Sequence, residues 1–362
     1  MAALGLLFVA VHVGIPFLGA IAFRRSGAGA LKAALAGRTT DPWILQGLGG
    51  LLSRDGQHYL AIASEGYRTP QSWAFFPLYP MAARALGPVL GGAPRAGLAI
   101  ALVASLACCA LLYATTTASQ GEGAAARAVA LFLAFPTHFF FGAFYTEALF
   151  FAFVAIATQS YAEGRWPRAA VAGALAATTR STGILLVPAL ALAALHRQGW
   201  RKIDPRVAWL VLVPAAMAAF FAAGYFATGH WAAPLEAQAT WGRKTTFPLL
   251  TIAQAAQDLR RDPFDLQRDV DIAAVLAGFV IAARSLRRVD AAHSVYLLLA
   301  LLLPLSSGLV HSMARYVASV PAVYLVLAQD LAARRRFIPV VAMSLAAQLW
   351  LALRFCEGLG LV

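Results

Sequence analysis

Charge is scarce in this chain. Of its 362 residues only 12% are Asp, Glu, Lys or Arg, 60% are hydrophobic, and mean hydropathy is +0.70. A soluble domain covered by charge is excluded, because the apolar runs that recur are too long for soluble helices. Acid is scarcer than base: 16 acidic residues stand against 29 basic ones, a net charge of +13. In a soluble protein that excess would point to nucleic acid. Here the bases punctuate apolar runs, as topology signals do, and no nucleic-acid partner is expected. Cysteine is nearly absent. Cys108 and Cys109 are neighbours inside an apolar run and Cys356 is distant, which leaves neither a disulfide framework nor a metal-ligand spacing. A Gly-rich phosphate loop, a nucleotide-binding βαβ unit, an internal repeat and a low-complexity linker are missing too.

What remains is a polytopic helical membrane protein. Ala2 to Phe23 reads as the first span, a retained helix rather than a cleaved signal, since no Arg or Lys precedes it and it exceeds a signal-peptide core. A long first loop, 24–88, follows, with a Gly/Ala-rich lead-in suited to short interfacial helices. Further spans are expected at Arg95–Thr117, Ala128–Ala162, Ala169–Leu195, Val207–Phe226, Ile272–Ala283, His293–Leu305, Val317–Ala328 and Phe337–Leu353. A second long loop, 228–271, carries Leu249, Leu250, Ile252, Ala256 and Leu259 at near-helical spacing and is expected to lie on the membrane surface.

Two spans have polar interruptions, Phe144 to Glu147 and Thr179 to Gly183. A straight helix through the second would put Arg180 near the bilayer centre at a cost of roughly 3 kcal/mol or more. A pair of half-length helices turning at Arg180 avoids that cost and must lean into protein or an aqueous groove. The hairpin also sorts the charge. It gathers Arg127, Arg165, Arg168, Arg197, Arg201, Lys202, Arg206, Arg284, Arg287, Arg288 and Arg334 to Arg336 on one face, which is then cytoplasmic.

With that topology Asp55, His58, Tyr67, Tyr145, Glu147, Arg180, Trp241, Arg243, His311, Arg315 and Tyr316 are all expected on or near the extracytoplasmic face. Each has a plain structural alternative. Asp55 suits the N-cap of a helix ending at Gly66, although His58 and Tyr59, three and four residues on, would share its face and meet the same substrate. Glu147 suits a helix start, where a carboxylate complements the dipole, as well as it suits a substrate-orienting role. Arg180 and Arg315 each suit snorkelling, but two arginines facing a carboxylate-bearing loop are better explained by a phosphate, which arginine grips bidentately. His311 suits a helix-end hydrogen bond. Trp73, Phe75, Phe76 and Tyr79 read as an interfacial aromatic belt.

Arg54-Asp55-Gly56-Gln57-His58-Tyr59, Glu65-Gly66-Tyr67 and Ala74-Phe75-Phe76-Pro77-Leu78-Tyr79-Pro80 resemble the first-loop motif of the PIG-V type mannosyltransferases, the family of GPI mannosyltransferase II and its prokaryotic relatives. Phe135-Pro136-Thr137, Tyr145 to Phe150, Thr179 to Gly183, and Leu303 through Tyr316 are similar to its later motifs. One departure is visible: relatives commonly carry Trp before the acid, where this chain has Arg54.

The resemblance implies an all-α, polytopic GT-C fold with about 11 transmembrane or half-membrane helices, forming one domain over 1–362. It implies a glycosyltransferase in a prokaryotic cell membrane, active at the extracytoplasmic face. The donor would be a polyprenyl-phosphate sugar, mannose above others, and the acceptor a hydroxyl on a glycolipid or glycan. Asp55 would be the general base of an inverting transfer. Arg180 and Arg315 would hold the donor phosphate, helped by His58 or His311, while Tyr59, Tyr67, Tyr145, Glu147, Trp241, Arg243 and Tyr316 would contact substrate. Neither cofactor nor metal is expected, since arginines can supply the positive charge. A lipid-linked sugar flippase is the alternative from another class; it would gather polar residues near the midplane instead.

Overall fold

The computed structural model describes all residues except 27–28, 203, 263 and 360–362, and among the described residues there are helices and turns but no strands. In chain order the helices are α1 (Ala2–Arg25), α2 (Gly29–Ala36), α3 (Pro42–Gln46), α4 (Asp55–Glu65), α5 (Leu78–Leu90) and α6 (Ala93–Gln120), then α7 (Glu122–Ala134), α8 (Glu147–Ala162) and α9 (Trp166–Thr179). They continue with α10 (Leu186–Arg197), α11 (Pro205–Thr228), α12 (Ala233–Ala239), α13 (Pro248–Arg261) and α14 (Leu266–Arg288), then α15 (Ala291–Leu305), α16 (Met313–Ala318), α17 (Pro321–Asp330) and α18 (Arg334–Cys356). By length and composition α1, α6, α11 and α18 are able to cross a membrane. The chain forms two compact units: the first holds residues 1–68, 77–149 and 330–361, the second 69–76 and 150–329.

In the first unit α1 is continuous through a π-helical turn at Ala10–Gly14. Pro16 accounts for it: a proline lacks the N–H that would bond the carbonyl four residues back and its ring crowds that carbonyl, which a wider turn relieves. The interruption expected near Phe144 begins earlier. α7 stops at Ala134 because Pro136 holds Phe135 extended, at φ −58° and ψ 137°. A 3-10 turn over His138–Phe141 follows, and the Phe144 N–H donates to the Leu51 carbonyl at 3.1 Å. This gives the freed backbone a partner in the first loop, which a break at membrane depth needs.

In the second unit the chain does turn at Arg180. Trp166, Ala169 and Ala170 from the start of α9 share one apolar cluster with Leu190, Ala193 and Ala194 from the end of α10, so the two helices run back along each other. Arg180 leaves α9 in extended geometry, φ −151° and ψ 147°, and a 3-10 turn over Ser181–Leu185 reverses the chain. The turn is tight. A Cβ on Gly183 would sit 2.4 Å from the Ala176 carbonyl carbon and the Ala177 nitrogen.

Two expectations need correction. Trp73, Phe75, Phe76 and Tyr79 are not an exposed belt but buried, at 5%, 8%, 8% and 0% exposure. Trp73 and Phe76 pack on Phe220 of α11, and the Gln238 amide donates to the Ala74 carbonyl at 2.9 Å, so residues 69–76 serve as core for the second unit. Their aromatic rings gain more from packing than from a wet interface. The span expected over Val317–Ala328 is broken at Ser319 and Val320, because Pro321 starts a new helix instead of continuing α16. α14, in turn, begins at Leu266 under an Asp265 cap, six residues ahead of the span expected from Ile272.

Gly183→Ala is expected to destabilise the protein by about 1–3 kcal/mol, the usual cost of overpacking, because the backbone of α9 rather than a flexible side chain stands in the way. Thermal unfolding in detergent checks this; an unchanged midpoint would mean that the turn at Arg180 has room for a Cβ at Gly183.

Candidate active site

The polar residues fall into two groups, one in each unit. In the first unit the start of α4 is built on a strained corner. Arg54, exposed, has φ 57°, a value that non-glycine residues rarely adopt, and Asp55 is the first helical residue rather than the cap. A carboxylate there faces the positive end of the helix dipole. The corner is held from behind: fully buried Tyr145 donates its hydroxyl to the Ser53 carbonyl at 2.8 Å. Gly56 packs behind the corner: a Cβ there would stand 3.4 Å from both the Phe144 carbonyl and the Tyr145 ring, an ordinary contact distance.

Asp55 and His58 are half-buried, on the same helix three residues apart. Burial lowers the His58 pKa, the Arg38 charge lowers it further, and Asp55 opposes them. The imidazole is therefore held towards its neutral form, able to hydrogen-bond a ligand but not to add charge. Tyr59 is buried, its ring edge-on to Tyr79 at 5.7 Å and to Tyr145 at 6.3 Å. Tyr67 follows the Gly66 turn and is half-buried, its phenol pushed upwards in pKa by burial and by Tyr59. Glu147 opens α8 and is fully buried. Tyr59, Tyr145 and Glu147 thus lie behind the surface that Asp55, His58 and Tyr67 reach.

In the second unit a cationic cluster surrounds one phenol. The Arg180 guanidinium lies 4.8 Å from the centroid of the Tyr316 ring and 5.8 Å from that of Phe150. Arg243 hydrogen-bonds the Tyr316 side chain, and Arg315 acts on it electrostatically. Arg180 and Arg315 are buried, at 9% and 4% exposure. Arg243 is carried by a segment tied to the end of α15, with the Lys244 N–H donating to Ser307 and the Thr246 N–H to Ser306, both at 2.9 Å. Charges of one sign so closely gathered repel one another in a low dielectric, and the arrangement suits an anion that takes several donors at once. Trp241 is exposed, edge-on to Phe75 at 5.9 Å, and His311 is exposed just ahead of α16.

Asp271 is a residue that reading the sequence missed. Buried to 1% exposure on α14, it accepts the Ser312 N–H on one carboxylate oxygen and the Ala314 N–H on the other, both at 2.9 Å. Its signal was an acid at the edge of an apolar run, easily taken for a loop end. Among the described residues no group of three or more His, Cys, Asp or Glu side chains is placed to hold a metal ion.

Burial raises the Tyr316 pKa, but Arg243, Arg180 and Arg315 outweigh it and bring the phenol down from 10.0 to about 8. As pH rises, Tyr316 is expected to lose its proton near 8 while ordinary tyrosines keep theirs to about 10. The ultraviolet difference titration of the protein against Tyr316→Phe measures this; Arg243→Gln should move the midpoint upwards, and a midpoint near 10 in the unaltered protein would contradict the cluster.

A search of curated protein sequences found no match to this chain. Among solved structures, an oligosaccharyltransferase from Archaeoglobus fulgidus, crystallised with zinc and sulfate, is similar in fold, with a TM-score of 0.53 at 14% identity. The alignment covers 99% of this chain, which spans only 53% of that protein. At that identity the likeness concerns the fold alone. The sequence pattern described as mannosyltransferase (PIG-V) matches residues 36–207, a stretch that includes Asp55, the break before Glu147 and the turn at Arg180. Over that stretch, just under half its length, the chain carries the pattern of the PIG-V mannosyltransferase family.

Proposed function

We propose that this protein is a membrane glycosyltransferase that moves a sugar, mannose above others, from a polyprenyl-phosphate donor to a hydroxyl of a lipid or glycan acceptor. The transfer inverts the anomeric centre and takes place at the extracytoplasmic face. The observation that carries the reading is the grouping of Arg180, Arg243 and Arg315 about Tyr316, which calls for an anionic ligand. The match to the mannosyltransferase pattern supports the sugar and the reaction class.

In this reading the three arginines hold the lipid phosphate. As the bond from the anomeric carbon to the phosphate oxygen breaks, a singly charged diester becomes a monoester that carries more charge. Guanidinium groups fixed beforehand stabilise that growing charge without having to reorganise. The acceptor oxygen forms the new bond to the anomeric carbon from the opposite side, and its proton passes to Asp55. A carboxylate is a weak base towards an alcohol, so it helps chiefly as the hydroxyl becomes acidic in the transition state.

His58, held neutral, orients the acceptor or donates a hydrogen bond rather than countering charge. Tyr67, Trp241 and His311 are exposed enough to touch sugar or acceptor. Tyr59, Tyr145 and Glu147 act from behind, keeping the Ser53 to Asp55 corner in place. Arg54 stands where relatives commonly carry Trp, and an exposed cation beside the base would favour an acceptor with negative charge nearby.

Purified protein given polyprenyl-phosphate mannose and lipids of its source membrane is expected to form a hexosylated product visible by mass spectrometry. Asp55→Asn should lower the rate by at least about 100-fold while the folded amount and donor affinity stay nearly constant. Undiminished turnover in that variant would remove Asp55 as the base.

A further inference from the structure

The helix that carries Arg315 and Tyr316 is not able to hold itself. α16 has six residues, well short of the length at which a helix persists alone, and it starts from Ser312 at φ 66°, in the left-handed region. Its first backbone N–H groups have no partner within the helix. Asp271 provides that partner from a different helix, accepting the Ser312 and Ala314 N–H groups at 2.9 Å each. α14 is also packed closely against this region, since a Cβ on Gly278, two turns along from Asp271, would meet Leu301 at 2.8 Å and Val317 at 3.3 Å. The carboxylate has a second effect: burial raises its pKa to about 7, against the Ala314 and Ser312 N–H groups and Arg315, which lower it, and in its ionised form it is a negative charge beside Arg315. When ionised it offsets part of the repulsion among the guanidinium groups.

We propose that Asp271 is a positioning residue for donor binding: by fixing the backbone at Ser312 and Ala314 it sets where Arg315 and Tyr316 stand. The assignment rests on the arginine cluster being the donor phosphate site. It gives the second long region outside the apolar spans a function at its end, because the helix that follows residues 228–265 carries the anchor of the anion site in its second turn. It also separates Asp271 from Asp55: neutralising Asp55 removes a base, whereas neutralising Asp271 misplaces a phosphate ligand.

The test compares Asp271→Asn with Arg315→Gln in the full-length protein. Asparagine keeps the shape but turns an N–H donor towards one of the two backbone N–H groups. The cost of losing a hydrogen bond to a charged group corresponds to a rise of about tenfold or more in the KM for polyprenyl-phosphate mannose. The KM for the acceptor should not change, and the Tyr316 absorbance titration should shift. A variant merely less stable would lose active protein without altering that KM or that titration. If Arg315→Gln weakens donor binding while Asp271→Asn changes neither donor KM nor Tyr316 titration, the positioning role is overturned and the phosphate site stands. If Arg315→Gln leaves donor affinity unchanged, the phosphate site itself falls, and with it the role of Asp271 in donor binding. Should Asp271→Asn fail to fold, hydrogen exchange of the unaltered protein decides: slow exchange at the Ser312 and Ala314 amides supports the anchor, and loop-like rates overturn it.

Discussion

A backbone in hydrocarbon has to satisfy its own N–H and C=O groups, and the layout of this protein follows from that constraint. Regular helix does so at no cost in partners. Any departure needs a partner from elsewhere in the protein, so departures are confined to places where one exists. The chain leaves α7 at Phe135 and finds the Leu51 carbonyl for Phe144; it leaves α9 at Arg180 and closes a turn on itself; it enters α16 at Ser312 and finds Asp271. These are the places where the chemistry-bearing side chains are found. A side chain in mid-helix is confined to the helix face, whereas one at a break can be aimed.

The same constraint explains why the arginines can be buried. An isolated guanidinium in a low dielectric is costly, and three of one sign are worse. Here the cost is spread over several contacts. Arg180 lies over the faces of Tyr316 and Phe150, where the rings' negative faces meet its charge. Arg243 bonds the phenol, whose ionisation becomes easier as a result, and Asp271 stands near Arg315. None of these contacts supplies the doubly charged oxygens that arginine binds best. Guanidinium groups gathered in this way can take an anion that accepts from several donors at once.

Much of this was legible in the sequence, for identifiable reasons. Arg180 was readable because a cation inside an apolar run is too expensive for a straight helix, so the run had to turn. Asp55, His58 and Tyr59 were readable as a helical set because their spacing fixes it. Trp73, Phe75 and Phe76 were misread because hydropathy cannot tell an aromatic ring at an interface from one in a core; only the neighbour, Phe220, decides that. Asp271 was missed because its partners are backbone N–H groups some 40 residues away, and backbone leaves no trace in composition. The break before Pro321 left a signal, since a proline disfavours helix at the residue before it, although Pro88, Pro304 and Pro339 lie inside helices.

Two of the described non-glycine residues with positive φ, Arg54 and Ser312, mark the two polar groups, and the third, Trp200, lies apart from both. Positive φ costs energy, on the order of 1–3 kcal/mol for a strained residue, and persists only where the surroundings over-determine it. At Arg54 the over-determination comes from the Tyr145 hydroxyl on Ser53 and from Phe144 on Leu51; at Ser312 it comes from both oxygens of Asp271. In each case a bond from another part of the same unit holds a corner immediately before a helix, and a side chain of the proposed site follows within three residues. Asp55 comes one position after the first corner and Arg315 three after the second. A relaxed turn would serve equally well to connect helices. A held one fixes the direction of the next side chain, which is what the proposed base and phosphate ligand would require.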